Sequence, residues 1–163
     1  MLRTFILLSF FAFFLLFTNS RAEAQEKKFF EVNPDSLINF AEKFIGTPYV
    51  WAGNQPGGFD CSGFVYYIYQ HFGKTTTLFS YEFPKFGEPI SIDRCKTGDI
   101  ILFSHEKSNS KKIGHVGLVI SKLGEPLTFI QASSSKKHGG VVITTFKHSM
   151  YERRFIEIIR LTT

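Results

Sequence analysis

Residues 59–64 read Phe59-Asp60-Cys61-Ser62-Gly63-Phe64, and the fold turns on how that stretch is read. Asp60 is a helix-capping residue type, whose carboxylate accepts from the unpaired N–H groups of a first turn. Beyond it Phe64, Val65, Ile68, Tyr69 and Phe72 repeat at the spacing of one helical face, and Gly73 supplies a stop. The pattern predicts a helix over residues 61–72 with Cys61 in its first turn. The free N–H groups and positive dipole end there stabilise anions, so a thiol so placed is expected to titrate below its free value of about 8.5. Cys61 is the first candidate nucleophile.

Upstream, Asn33-Pro34-Asp35 gives a cap, a proline at the first helical position and an acid in the first turn. Leu37, Phe40, Ala41, Phe44 and Ile45 continue as an apolar stripe until Gly46. Residues 47–59 form a loop rich in glycine that holds Tyr49-Val50-Trp51-Ala52-Gly53. Residues 74–97 lack a regular period, apart from one short helical turn near residues 81–86, and would border any cleft. From Gly98 onward the pattern changes. Residues 99–104, 115–121, 127–132, 140–146 and 155–161 are short runs rich in Ile, Val, Phe and Thr. Connections this short hold no crossover helices, so a five-stranded antiparallel sheet is expected. Helices first and strands afterwards make an α+β fold, with the N-terminal helices packed on the sheet.

At the N-terminus, Arg3, an almost purely apolar run over residues 5–17 and Ala22-Glu23-Ala24 predict a secretory signal peptide over residues 1–24. Residues 25–163 then form one domain. The apolar run is shorter than the roughly 18 residues of a spanning helix. A retained anchor is the alternative, and no stable membrane span is expected after cleavage. Export places the domain in the periplasm or cell envelope. The chain carries a net charge of +5, and the pairs Lys111-Lys112, Lys136-Lys137 and Arg153-Arg154 read as solvated surface. No stripe of basic and aromatic residues suggests nucleic acid. In an oxidising compartment a Cys61–Cys95 disulfide is the alternative to a reactive thiol, although Cys95 lies in a polar turn, Asp93-Arg94-Cys95-Lys96. Neither metal-ligand spacing nor a phosphate-binding glycine loop is present, so no metal and no cofactor is expected.

A thiol nucleophile needs a base. Of the five histidines, His115 is the best placed, opening a strand in Ile113-Gly114-His115-Val116-Gly117-Leu118, where the glycines leave room for another element to approach. His71 lies about three turns along the helix from Cys61, roughly 15 Å away by helical rise. His105, His138 and His148 sit in polar segments and read as solvated. The base in turn needs a polar group to hold its tautomer. If residues 121–126 form a hairpin turn symmetric about Leu123, His115 pairs with Gln131 on one face. A one-residue slip would turn Gln131 to the other face, and a solvated strand residue is its alternative reading.

Four ordered segments resemble the successive motifs of the NlpC/P60 family of bacterial cell-wall cysteine peptidases: Gly46-Thr47-Pro48-Tyr49-Val50-Trp51-Ala52-Gly53, Phe59-Asp60-Cys61-Ser62-Gly63-Phe64, Gly98-Asp99-Ile100-Ile101-Leu102-Phe103 and Gly114-His115-Val116-Gly117. The resemblance runs from about residue 35 to residue 161. It implies a papain-like fold with Cys61 as nucleophile, His115 as base and Gln131 in the place of the third residue. Tyr49 would lend its hydroxyl to the oxyanion together with the N–H of Cys61. Asp60 and Ser62 would lie at the substrate-binding side, joined by Trp51 on the cleft wall. The implied substrate is the stem peptide of peptidoglycan, cut at a bond such as that from γ-D-glutamyl to a diamino acid by a monomer. Ala52-Gly53 stands where the family has Gly-Gly, Gln131 where it often has histidine, and residues 75–83 depart from its polar cleft-lining stretch. The alternatives are a catalytically silent cell-wall peptide-binding module, or an amidase or acyltransferase on the same scaffold.

Overall fold

The computed structural model describes residues 28–105, 111–137 and 139–163; the predicted signal segment and its cleavage position lie outside the described residues. Among the described residues, two helices come first. Helix α1, Pro34–Glu42, starts where Asn33 accepts from the Ser36 N–H at 2.9 Å, with Pro34 at its first position. A small hairpin then interrupts the predicted loop, β1 at Asn54–Gln55 and β2 at Gly58–Phe59. Helix α2, Cys61–His71, is capped by Asp60, which accepts from the Gly63 N–H at 2.7 Å.

Gly63 is fixed by sterics. A Cβ there would run into the carbonyl of Gly53, so the loop packs directly on the first turn of α2. The loop is bonded to itself as well: Asp60 N–H donates to Gly53 at 2.8 Å, and Val50 N–H to Phe59 at 3.0 Å. Tyr49 is thereby seated next to the start of the helix, in a bridge with Phe59.

After a 3₁₀ segment at Ser80–Phe86 come β3 (Gly87–Ile90), β4 (Ile100–Ser104), β5 (Ile113–Val119), β6 (Thr128–Ser133), β7 (Gly140–Thr145) and β8 (Phe155–Leu161). They form one antiparallel sheet in the order β3-β8-β4-β5-β6-β7. The α+β class is as expected, but the sheet has six strands rather than five. The extra one, β3, pairs with β8 through Pro89↔Ile159. A proline gives no ladder N–H, and an edge position tolerates that.

Both faces of the sheet are buried. Ile100, Leu102, Val116, Leu118, Ile130 and Ile159 pack under α1 and α2 against Leu37, Phe64 and Ile68. Ile101, Phe103, Val119, Phe129 and Ile158 fill a second core with Phe146 and Tyr151 from the segment between β7 and β8. This is why β4 reads as a continuous apolar run rather than an alternating one. Both cysteines are free, and Cys95 belongs to the second core. The disulfide alternative is thereby set aside. Asp99, 1% exposed, takes the Arg160 guanidinium on both carboxylate oxygens at 2.8 and 2.9 Å, tying the start of β4 to β8. Among the described residues, no helix is long and apolar enough to cross a membrane.

Candidate active site

The β5–β6 ladder holds at Leu118↔Ile130 and Val119↔Phe129 and does not extend to the His115 end of β5. The start of α2 meets the sheet at this split. The Cys61 thiol accepts a hydrogen bond from the backbone of Val116, the residue after His115. Cys61, His115, Tyr49 and Trp51 line one cleft of about 250 Å³ together with His105, Gly114, Ser133, Ser134, Ser135, Met150, Tyr151 and Arg154.

His115 is 8% exposed, and its Nε2 is hydrogen-bonded to Oε1 of Gln131. An amide oxygen only accepts, so Nε2 carries the proton and Nδ1 is left as the basic nitrogen. Gln131, 1% exposed, is held in turn by donating to Thr144 Oγ1 at 2.9 Å. The ring of His115 stacks on Tyr151, with centroids 5.5 Å apart at 26°, and lies 5.9 Å from Phe103. The pairing that nominated Gln131 needs correcting. The observed register sets Gln131 two residues short of the position opposite His115, because the turn centres on Gly124 rather than Leu123. Gly124 adopts φ +85°, a left-handed conformation that glycine takes without penalty. A two-residue shift preserves the face, so the contact survives as a diagonal one.

The expectation of an acidified thiol is also overturned. Burial, with the Asp60 carboxylate second, raises Cys61 to about 11, against the pull of backbone hydrogen bonds from Val116, Ser62 and Cys61 itself. Desolvation outweighs the helix terminus. Burial likewise lowers His115 to about 4, aided by Arg154 and opposed by Gln131. Near neutral pH the cleft therefore holds a neutral thiol beside a neutral imidazole. Tyr49 is pushed up to about 12 by burial and by Cys61 and Asp60, so its hydroxyl stays a proton donor.

The remaining predicted residues are more peripheral. Asp60 and Ser62 do not line the cleft. Asp60 caps α2, and the Ser62 hydroxyl donates to the Leu78 carbonyl at 2.8 Å, anchoring the following loop to the helix start. Trp51 stands at the rim, 85% exposed, and is no part of the core. His71 stacks on Phe40 at 3.6 Å between centroids, well away from the thiol; His138 lies outside the described residues. His105 and Arg154, read from the sequence as solvated, both belong to the cleft wall. Tyr151 and Thr144 were missed altogether. The signal that could have found Arg154 is its spacing of three from an aromatic residue in a segment covering the sheet. Among the described residues, no three His, Cys, Asp or Glu side chains converge as metal ligands would.

The sequence model of the NlpC/P60 family matches residues 46–160. A gamma-D-glutamyl-L-lysine dipeptidyl-peptidase of Bacillus subtilis is 31% identical over 126 residues, covering 77% of this chain and 40% of that protein. An NlpC/P60 family protein from Bacillus cereus superposes with a TM-score of 0.70 at 28% identity, over 81% of this chain and 41% of that one. The NlpC/P60 domain of the peptidoglycan hydrolase SagA gives a TM-score of 0.61 at 29% identity, over 78% of this chain and 98% of that one. The chain thus spans about two-fifths of the curated relative and nearly all of an isolated domain.

Proposed function

The chain belongs to the NlpC/P60 family, and from that premise we propose that it is a cysteine peptidase hydrolysing peptidoglycan stem peptides through an acyl-enzyme on Cys61. The observation that carries the reading is the meeting of Cys61, at a capped helix start, with a His115 whose tautomer is set by Gln131, in one cleft. The bond proposed is that between γ-D-glutamyl and a diamino acid, in line with the Bacillus subtilis relative being a gamma-D-glutamyl-L-lysine dipeptidyl-peptidase. Action in the cell envelope, after removal of residues 1–24, belongs to the same proposal.

In the first step Cys61 Sγ attacks the scissile carbonyl while its proton passes to Nδ1 of His115. The neutral resting pair makes this general-base catalysis, with thiolate formed as the attack proceeds. The Tyr49 hydroxyl and the N–H of Cys61 are the proposed donors to the oxyanion. The tetrahedral intermediate collapses with cleavage of the C–N bond, and the imidazolium gives its proton to the departing amine. Water then attacks the thioester, losing a proton to His115, which returns it to the departing sulfur. Asp60 accepts from the Ser62 hydroxyl at 3.1 Å and Ser62 holds the Leu78 carbonyl, which together fix the helix start behind the thiol, while Trp51 walls the proposed acyl side.

Mass spectrometry of muropeptides incubated with the parent and with Cys61→Ala tests this. The parent is expected to release fragments cut at the γ-D-glutamyl bond, and the variant none, with its melting temperature nearly unchanged. Equal cleavage by both proteins would exclude Cys61 as nucleophile, and binding without turnover by the parent would identify a silent binding module.

A further inference from the structure

Among the described residues, Arg154 is held in place without being neutralised. Its Nε and Nη2 donate to the Ser104 carbonyl at 3.0 and 2.7 Å, and its guanidinium carbon lies 5.3 Å from the Tyr151 ring centroid. Among the described residues, Nη1 has no hydrogen-bond partner and no carboxylate pairs with Arg154. None of the described residues lining the cleft is an Asp or Glu. A guanidinium fixed along one edge, with its other nitrogen open to a cleft, is suited to a planar anion. Pairing with a carboxylate would supply the counter-charge that the described residues around it do not.

Its position says which part of a substrate it meets. Tyr151 touches both Arg154 and the His115 ring, so Arg154 lies on the His115 side of the cleft. In acyl transfer the imidazolium delivers its proton to the departing amine, so that side faces the leaving group. We propose that Arg154 forms a carboxylate-binding subsite for the leaving group, reading a free carboxylate on the amino acid whose amine departs. The inference rests on the peptidase reading above and adds a chemical requirement to it. The carboxylate has two sources, the α-carboxylate of a leaving residue that ends the peptide and the side-chain carboxylate of a diamino diacid.

The test uses three peptides with the same L-Ala-γ-D-Glu acyl part: one ending in free L-Lys, one in L-Lys amide, and one in a diamino diacid with only its α-carboxyl amidated. The parent, Arg154→Gln and the charge-retaining Arg154→Lys are compared by kcat and KM. Binding to Cys61→Ala, with and without Arg154→Gln, is measured by calorimetry. A charge-assisted hydrogen bond predicts a preference of about tenfold or more for a carboxylate-bearing peptide over L-Lys amide, mainly in KM. That ratio is expected to fall to near one in Arg154→Gln and to be partly kept in Arg154→Lys. A preference for free L-Lys over L-Lys amide identifies the α-carboxylate, and a preference for the α-amidated diamino diacid over L-Lys amide identifies the side-chain carboxylate. Hydrolysis by the parent with no preference for either carboxylate-bearing peptide over the amide, or an unchanged preference in a folded Arg154→Gln, overturns the subsite and leaves the peptidase reading intact. An Arg154-dependent preference in binding to Cys61→Ala, with no turnover by the parent, upholds the subsite and overturns the peptidase reading.

Discussion

Lowering the pH from 7 to 4 is expected to weaken the folded state through His115. The ring is 8% exposed, and burial together with Arg154 holds it at about 4 against an ordinary 6.5. The unfolded chain takes up the proton first, so between those two values it binds more protons than the folded chain, and stability falls as the pH falls. Above about 6.5 neither state is protonated at this residue; below about 4 both are, and the loss is complete. Each pH unit inside the window costs about 1.4 kcal/mol, so the whole window costs about 3 kcal/mol. Urea unfolding of the parent and of His115→Gln at pH 7, 5.5 and 4 isolates this share, because both proteins carry the same carboxylates. Glutamine also keeps an amide donor for Gln131. The parent is expected to lose about 3 kcal/mol more than the variant across that range. Equal losses would refute the claim that the folded cleft resists charging His115.

The raised thiol makes alkylation of Cys61 by iodoacetamide in the empty cleft climb about tenfold per pH unit from pH 7 to 9. A rate already level below pH 8 would reveal a preformed thiolate instead. Gln131→Leu removes the acceptor that sets the imidazole tautomer, and the loss of about 1–3 kcal/mol lowers kcat/KM by about 5- to 150-fold. Gln131→Glu places a charge against Nε2 and is expected to move the acid limb of the kcat/KM profile to higher pH; an unmoved limb would mean that Gln131 does not govern the titration of His115. Ala52 sits at φ +58°, a left-handed conformation costing a non-glycine residue about 1–2 kcal/mol. After the greater entropy of glycine in the unfolded chain is deducted, Ala52→Gly should stabilise by about 0.5–1 kcal/mol, read as a higher melting temperature.

What the sequence disclosed follows from the range of the forces involved. Asp60 capping α2 and Asn33 capping α1 are contacts over three residues, and each announces itself in the local order of residue types. The face of Gln131 was legible because side-chain alternation has period two and survives a two-residue error in register. Strand β3 was not, because Gly87-Glu88-Pro89-Ile90 has no strand-like composition and is held by β8, seventy residues further on. Arg154 reads as surface next to Arg153, and only a carbonyl fifty residues away turns it into the cleft. The thiol went furthest astray. The helix terminus that stabilises an anion is visible in residues 59–64, whereas the desolvation that outweighs it comes from β5 and the rest of the fold.

Strand β8 is the last of the strands in chain order, yet it lies inside the sheet between β3 and β4. During synthesis, β4 through β7 leave the ribosome with one flank of β4 unpaired, and Asp99 waits without the guanidinium of Arg160. Arg154, Tyr151 and the covering of the second face also belong to the final stretch. A nascent chain that stops short of β8 can therefore hold Cys61, His115 and Gln131 in its sequence without the full sheet that carries the proposed site. Assembly of the proposed site waits on β8, a built-in delay for a hydrolase whose proposed target is the peptide of a cell wall.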